Sequence, residues 1–266
     1  MYAFEYARPE SLKDAASALR KNADAKPLAG GQSLVQTLKL RLARVPLLVD
    51  LGAIPELSGI RINNNIVSIG AMTRHADVAS SREVRRAIPA LARLAGGIGD
   101  RLVRNLGTLG GSLANADPGA DYPAAVVGLG ATIVTNRREL AADKFFTGLF
   151  ETALKPGEII TRVDFPVPLR AGYAKFRNPA SRFALVGVFV CDTTAGVRVA
   201  VTGAGPCVFR LKKIEKTLAK DFSAKAIEKF VHPADGLNTD IHAAADYRAH
   251  LVTVMAQRAV EAAAKI

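Results

Sequence analysis

Apolar positions change their spacing several times along the chain, and each change predicts a new element. Behind Ser11, Leu12, Ala15, Ala16 and Leu19 recur on one helical face with Asp14 at the capping-box position, which predicts an amphipathic helix. Lys26 to Ala29 then reads as a short strand, Gly30-Gly31-Gln32-Ser33 as a tight turn, Leu34 to Leu42 as a second helix stopped before Pro46, and Leu47 to Leu51 as another strand. This order makes a small α/β unit over residues 1–55, with Gly52 and Pro55 marking its exit.

Ile60 to Ile62 and Ile66 to Ile69 flank Asn63-Asn64-Asn65 and read as a hairpin whose turn residues tolerate positive φ. Thr73 to Leu94 has the pattern of surface helices, followed by a glycine-rich run from Gly96 to Gly119 that reads as a long loop. Ala124 to Leu129 suits a packed helix, and Thr132 to Thr135 and Ile159 to Phe165 suit strands. Pro166-Val167-Pro168 reads as a linker. Tyr173 to Phe176, Ala184 to Val190 and Val197 to Thr202 predict a three-stranded antiparallel meander, followed by helices over Ile214 to Lys220 and Ala243 to Lys265. The division is therefore residues 1–166, as subdomains 1–55 and 56–166, and a C-terminal domain over residues 167–266.

Composition narrows the function. With 266 residues, 49% hydrophobic and 23% charged, the chain is neither disordered nor a disulfide-stapled miniprotein. No apolar stretch approaches a membrane span, and the N-terminus lacks a secretory segment, so the expectation is a cytoplasmic protein. Two cysteines, Cys191 and Cys207, are too few to ligate an iron–sulfur cluster within this chain, and both read as buried structural thiols. His75, His232, His242 and His250 lack helical metal-pair spacing and read as surface or core residues. The net charge of +12 suits an anionic cofactor, an acidic partner or a membrane surface. Its densest stretch, Arg82 to Arg104, has no interleaved aromatic residue, which disfavours nucleic acid.

Two glycine-rich segments carry candidate chemistry. Ala29-Gly30-Gly31-Gln32-Ser33-Leu34 joins a strand to a helix, so its amides and the positive helix end can face an anion such as a pyrophosphate; an ordinary turn capped by Ser33 is the plainer alternative. In Arg104 to Pro123, four glycines expose backbone donors, Thr108, Ser112 and Asn115 offer neutral hydrogen-bonding groups, and Asp121 can accept from a ribose hydroxyl. Gly128 and Gly203 begin dinucleotide-like patterns, but Ile133 and Val208 occupy the third glycine positions. Neither a Walker A sequence nor a G-x-S-x-G elbow is present.

In this order and spacing, Ala29 to Ser33 and Thr108 to Pro118 resemble the A-G-G-[HQ]-S and T-[IL]-G-G-x-x-A-x-x-D-P motifs of the FAD-binding medium subunits of molybdenum hydroxylases, the xanthine dehydrogenase and carbon monoxide dehydrogenase family. The resemblance extends over the whole chain, through Val49-Asp50-Leu51, Ile69 to Thr73, Pro156 to Ile160 and Gly172 to Phe176. It implies an α+β chain: a two-subdomain FAD-binding fold of the vanillyl-alcohol-oxidase type plus a C-terminal α/β domain with a three-stranded antiparallel sheet. By position it implies that Lys26, Ala29, Gly30, Gly31, Gln32, Ser33 and Leu34 hold the pyrophosphate of FAD. Thr108, Gly111, Ser112, Ala114 and Asn115 add to that grip, and Asp121 meets the ribose or adenine side. Ile98, Ile160 and Lys175 match positions near the flavin ring, where Lys175 would stabilise the reduced cofactor.

The resemblance further implies no catalytic side chain and no metal in this chain. Its role would be electron transfer from 2Fe–2S clusters of a small partner subunit, through FAD, to a terminal acceptor, with the molybdopterin cofactor in a large subunit and the whole a dimer of heterotrimers. Such an assembly would be cytoplasmic, with peripheral contact to the inner membrane face as a further option. The alternative is a self-sufficient FAD oxidoreductase of the same fold acting on a small molecule. Two departures from the family pattern stand near the flavin: Arg101-Leu102-Val103-Arg104-Asn105 where P-Q-I-R-N is common, and Arg182-Phe183 where an acidic residue precedes an aromatic one.

Overall fold

The computed structural model describes residues 1–264. The chain opens with β1 (Glu5–Ala7), α1 (Leu12–Lys21), β2 (Lys26–Leu28), α2 (Leu34–Lys39) and β3 (Leu47–Asp50). The three strands form a parallel sheet in the order β1-β3-β2. Ser11 caps α1 by accepting from the Asp14 amide, and the helix buries Ala15, Ala16 and Leu19 against Val49, Leu51, Ile54 and Leu57. α2 stops at Lys39, earlier than the expected Leu42, because the chain turns through Arg41 with φ 58°. β1 was not among the expected strands.

The hairpin forms as expected, with β4 (Ile60–Asn63) and β5 (Ile66–Gly70) joined through Asn64 and Asn65 at φ 46° and 64°. Six helices follow: α3 (His75–Ser80), α4 (Arg82–Ala87), α5 (Pro89–Gly96), α6 (Arg101–Leu106), α7 (Leu109–Asn115) and α8 (Tyr122–Leu129). Two expectations need correction here. α5 is a core helix, not a surface one, since Ala90, Leu91, Ala92, Leu94 and Ala95 are all buried. The glycine-rich run is not a loop: Asp100 accepts from Val103 N and Thr108 from Gly111 N, and these caps start α6 and α7 inside it. Every residue of α8 is buried, which accounts for its uniformly apolar sequence.

β6 (Thr132–Thr135), β7 (Glu139–Ala141), the small pair β8 (Phe146–Gly148) and β9 (Glu151–Thr152), and β10 (Ile160–Pro166) complete this part. The central sheet runs β4-β5-β10-β6-β7 with antiparallel neighbours. Its apolar face packs with α3, α5, α7 and α8 into the largest core.

β11 (Arg170–Arg177), β12 (Ala184–Thr193), β13 (Gly196–Thr202) and β14 (Phe209–Arg210) form an antiparallel sheet in that order. It has four strands, not the expected three, because the turn through Gly203 to Cys207 brings Phe209 back against Val201. The expected linker is displaced by one residue: Pro166 still pairs with Ile66, so residues 167–169 connect the sheets. α9 (Lys212–Leu218) and α10 (Ala245–Ala264) follow; Lys265, the expected end of the last helix, lies outside the described residues. β12 is buried from Ala184 through Cys191 because alternate residues join two cores, one shared with α8 and one with α10. Cys191 donates its thiol to Gly128 O at 3.0 Å, tying β12 to α8.

Candidate cofactor site

The two glycine segments, some seventy residues apart in sequence, meet. A Cβ on Gly30 would lie 2.1 Å from Leu106 O and 2.7 Å from Gly107 Cα, so only glycine permits this backbone contact. One turn further, a Cβ on Gly111 would be 3.3 Å from the Ala29 methyl. The second segment is itself fixed on the stretch after β5: His75 N donates to Gly107 O at 2.9 Å, Leu109 N to Thr73 O at 3.1 Å and Gly110 N to Ala71 O at 2.7 Å.

The segments differ in what they leave open. In the first, Gly31 takes φ 69° and turns the chain from β2 into α2. The amides of Gly31, Gln32, Ser33 and Leu34 find no acceptor among the described residues, and Ser33 does not cap the helix. Gln32 Nε2 reaches back to Gly30 O at 3.3 Å. Four half-exposed backbone donors at a helix start are the donor set for an anion of pyrophosphate type. In the second segment the expected exposed donors are absent, since the amides of Leu109, Gly110, Gly111 and Ser112 all donate within the protein, the last two to Thr108 Oγ1 and Thr108 O. The glycines there serve close packing. What remains for a ligand are the side chains of Ser112 and Asn115, partly exposed and without hydrogen-bond partners among the described residues; Ala114 is exposed beside them and Thr108 is buried.

A second cluster joins α5, α8 and β11. Asp121 is buried and accepts from Tyr173 Oη at 2.6 Å, while Lys175 Nζ sits 2.8 Å from Asp121 Oδ1. Lys175 also donates to Gly97 O and Arg182 O, each at 2.9 Å, which uses all three ammonium protons. Burial pushes the Asp121 carboxyl up, against the opposing pull of the Lys175 charge and the Lys175 and Tyr173 hydrogen bonds; burial next to Asp121 pushes the Tyr173 hydroxyl well up. In the structure the oxygens of Asp121 face a cation and a phenol, Lys175 and Tyr173. Lys175 is thus a charge compensated inside the fold. Sequence reasoning missed Tyr173 as the third member; its place two residues before Lys175 on a strand, hence on the same face, was the available signal.

The remaining predicted positions are dispersed around these clusters. Ile98 is partly exposed in the turn between α5 and α6, and Arg104 holds that turn by donating to Ile98 O at 2.9 Å and Gly99 O at 3.0 Å. Lys26 is exposed on β2, and Ile160 is buried in the central core at the start of β10. His75 is buried beneath Gly107 with its ring 5.3 Å from that of Tyr122; burial and the nearby Arg104 charge bring its pKa down to about 4. His75 Nδ1 and Tyr122 Oη are both buried without a partner among the described residues. Among those residues no group of three or more His, Cys, Asp or Glu is placed to hold a metal ion, and no helix is long and apolar enough to cross a membrane.

The family described as FAD binding domain in molybdopterin dehydrogenase matches residues 2–168. The glyceraldehyde dehydrogenase medium chain of Sulfolobus acidocaldarius is 33% identical over 276 residues, covering 96% of each chain. The nicotine 6-hydroxylase medium subunit of Paenarthrobacter nicotinovorans is 35% identical over 278 residues, covering 99% of this chain and 98% of the other. A solved structure, reconstituted CO dehydrogenase from Oligotropha carboxidovorans, superposes with a TM-score of 0.91 at 32% identity, covering 98% of both chains.

Proposed function

The chain belongs to the FAD-binding medium-chain family of the molybdenum hydroxylases, and on that premise we propose that it carries electrons from 2Fe–2S clusters of a small partner subunit, through FAD, to a terminal acceptor. The observation that carries the reading is the contact of Gly30 with Leu106 and Gly107, which joins the segment holding four unpartnered amides to the segment that bears the free side chains of Ser112 and Asn115. That donor set fits a dinucleotide with a pyrophosphate. It is neutral and backbone-rich.

The residues that would hold FAD are Lys26 and Ala29 to Leu34 along the pyrophosphate, with Thr108, Gly111, Ser112, Ala114 and Asn115 as the facing wall. Bound FAD supplies a centre that accepts electrons singly and releases them in pairs. The chain's own work is to orient and to tune. The unpartnered amides offset phosphate charge without bringing a mobile cation. Asp121, Tyr173 and Lys175 act as positioning residues, fixing α5, α8 and β11 so that Ile98 keeps its place. Ile160 contributes apolar packing from β10. No side chain here has to exchange a proton with a substrate.

On this reading residues 1–166 bind the cofactor, and residues 167–266 brace it through β12 and α8. Oxidation of the substrate, on a molybdopterin centre, takes place in a large subunit of a dimer of heterotrimers. Relatives named for glyceraldehyde and for nicotine share this medium-chain architecture at similar identity, which supports a substrate pocket lying outside this chain. The test is to mix the flavin-loaded chain with separately purified, prereduced small subunit and follow the oxidised-flavin absorption. Bleaching on mixing supports the role; flavin that stays oxidised while the two subunits co-elute on gel filtration contradicts it.

A further inference from the structure

Where α6 faces α3 and the end of α5, the protein has a concave feature whose lining residues are not among those proposed to hold FAD, although Arg101 to Asn105 match a family segment that borders the flavin. It is a cleft of about 280 Å³ lined by Ser80, Arg85, Gly96, Arg101, Arg104 and Asn105, along with two alanines of α3. None of its three arginines is within ion-pair distance of a carboxylate among the described residues, whereas nine other basic residues are. The nearest acids in sequence, Asp77, Glu83 and Asp100, do not line the cleft, and the carboxylates of Glu83 and Asp100 are occupied by Ser81 Oγ and Val103 N.

Two of the arginines are already fixed. Arg85 Nε donates to Ala79 O at 2.8 Å, and Arg104 Nη1 donates to Ile98 O and Gly99 O, so a ligand does not have to order them and their other N–H groups stay available. Planar guanidinium forks match phosphate oxygens better than lone ammonium groups would. The lining has no aromatic ring, so a nucleobase would find nothing to stack on.

We propose that Arg85, Arg101 and Arg104 form a binding site for a phosphorylated small molecule, with Ser80 and Asn105 as neutral hydrogen-bonding partners. Recognition is of the phosphate group. Because Arg104 holds the Ile98–Gly99 turn, an anion in the cleft is in direct contact with the residue that fixes this turn.

The test is isothermal titration of the FAD-loaded full chain with inorganic pyrophosphate and, separately, with NADP⁺, at low and high salt, while the flavin absorption confirms that FAD stays bound. Binding that weakens with salt is expected. Arg101→Ala, an exposed position whose loss leaves the turn intact, is expected to weaken pyrophosphate about ten-fold, the equivalent of one charge-assisted phosphate contact. Arg82→Ala removes the same charge from the same region without touching the cleft and is expected to leave affinity within about two-fold. Equal affinity for pyrophosphate and NADP⁺ identifies a simple phosphate site, and clearly tighter NADP⁺ a dinucleotide site; both sustain the proposal when they depend on Arg101. Absence of binding at millimolar ligand, or equal weakening by Arg82→Ala and Arg101→Ala, overturns it.

Discussion

Gly30 and Leu106 touch backbone to backbone: a methyl group on Gly30 would lie 2.1 Å from the Leu106 carbonyl oxygen. This single contact brings the unpartnered amides of Gly31 to Leu34 alongside α7. Gly30→Ala therefore has to separate the two segments, at a cost of about 1–3 kcal/mol in stability. It should also weaken FAD binding about ten-fold or more, if only one well-placed hydrogen bond to phosphate is lost. Quenching of FAD fluorescence during titration of the apo chain measures the second effect and urea unfolding the first. Retention of wild-type FAD affinity would place the cofactor elsewhere.

The buried cluster of Asp121, Tyr173 and Lys175 makes a different prediction. Lys175→Met leaves a carboxylate buried with only a phenol as donor and should destabilise by about 3–5 kcal/mol. Tyr173→Phe removes one hydrogen bond to a charged group and should cost about 1.5–3 kcal/mol. The pair Asp121→Asn with Lys175→Met should cost clearly less than the sum of the two single changes, because neither leaves an unpaired charge once both are made. Strict additivity in urea unfolding would mean that the cluster is not coupled as described.

How much of this was legible in sequence follows from which forces are local. The Asn64–Asn65 hairpin and the Ser11 cap were readable because turn and cap chemistry depends on neighbouring residues. The glycine run misled in one respect. Its composition pointed to a loop, yet Asp100 and Thr108 cap two short helices within it, and both caps stood in the sequence. β1 and β14 were invisible because two or three residues carry no alternation of their own, whereas the equally short β2 was marked by the glycine turn that follows it. In the site, the two segments were recognisable one by one. Their contact through Gly30, and the inward turn of Asp121 onto Tyr173 and Lys175, arise from tertiary packing that no local pattern encodes.

Acid sensitivity should come in two windows. His75 has a native pKa of about 4 against an ordinary 6.5, so the unfolded chain takes up its proton first and stability falls as pH drops from 6.5 towards 4. His75→Asn should flatten that part of a plot of Tm against pH.

Glu158 acts lower. Hydrogen bonds from Arg138, Lys155 N and Thr135 hold its carboxyl at about 2 against 4.5, so its contribution is complete above 4.5 and is lost as pH falls towards 2. Glu158→Gln should cost about 1–3 kcal/mol at neutral pH and remove the lower limb. A Tm profile unchanged in shape by either variant would contradict the assignment of the two windows.

The thiols should differ in reactivity. Cys191 is fully buried, bonded to Gly128 O and raised to about 12, whereas Cys207 is only partly buried. Iodoacetamide should label Cys207 slowly in the native chain and Cys191 only after denaturation, as read by mass spectrometry of the peptides. Early labelling of Cys191 would mean that β12 and α8 separate in the native state.

The most direct test of the central claim is the flavin content of the full chain coexpressed with its large and small partner subunits, measured by visible absorption and by identification of the cofactor released with acid. The predicted result is an oxidised-flavin spectrum with one FAD per chain. A chain that is folded by circular dichroism, sits in its complex and still neither carries nor takes up FAD would contradict the account.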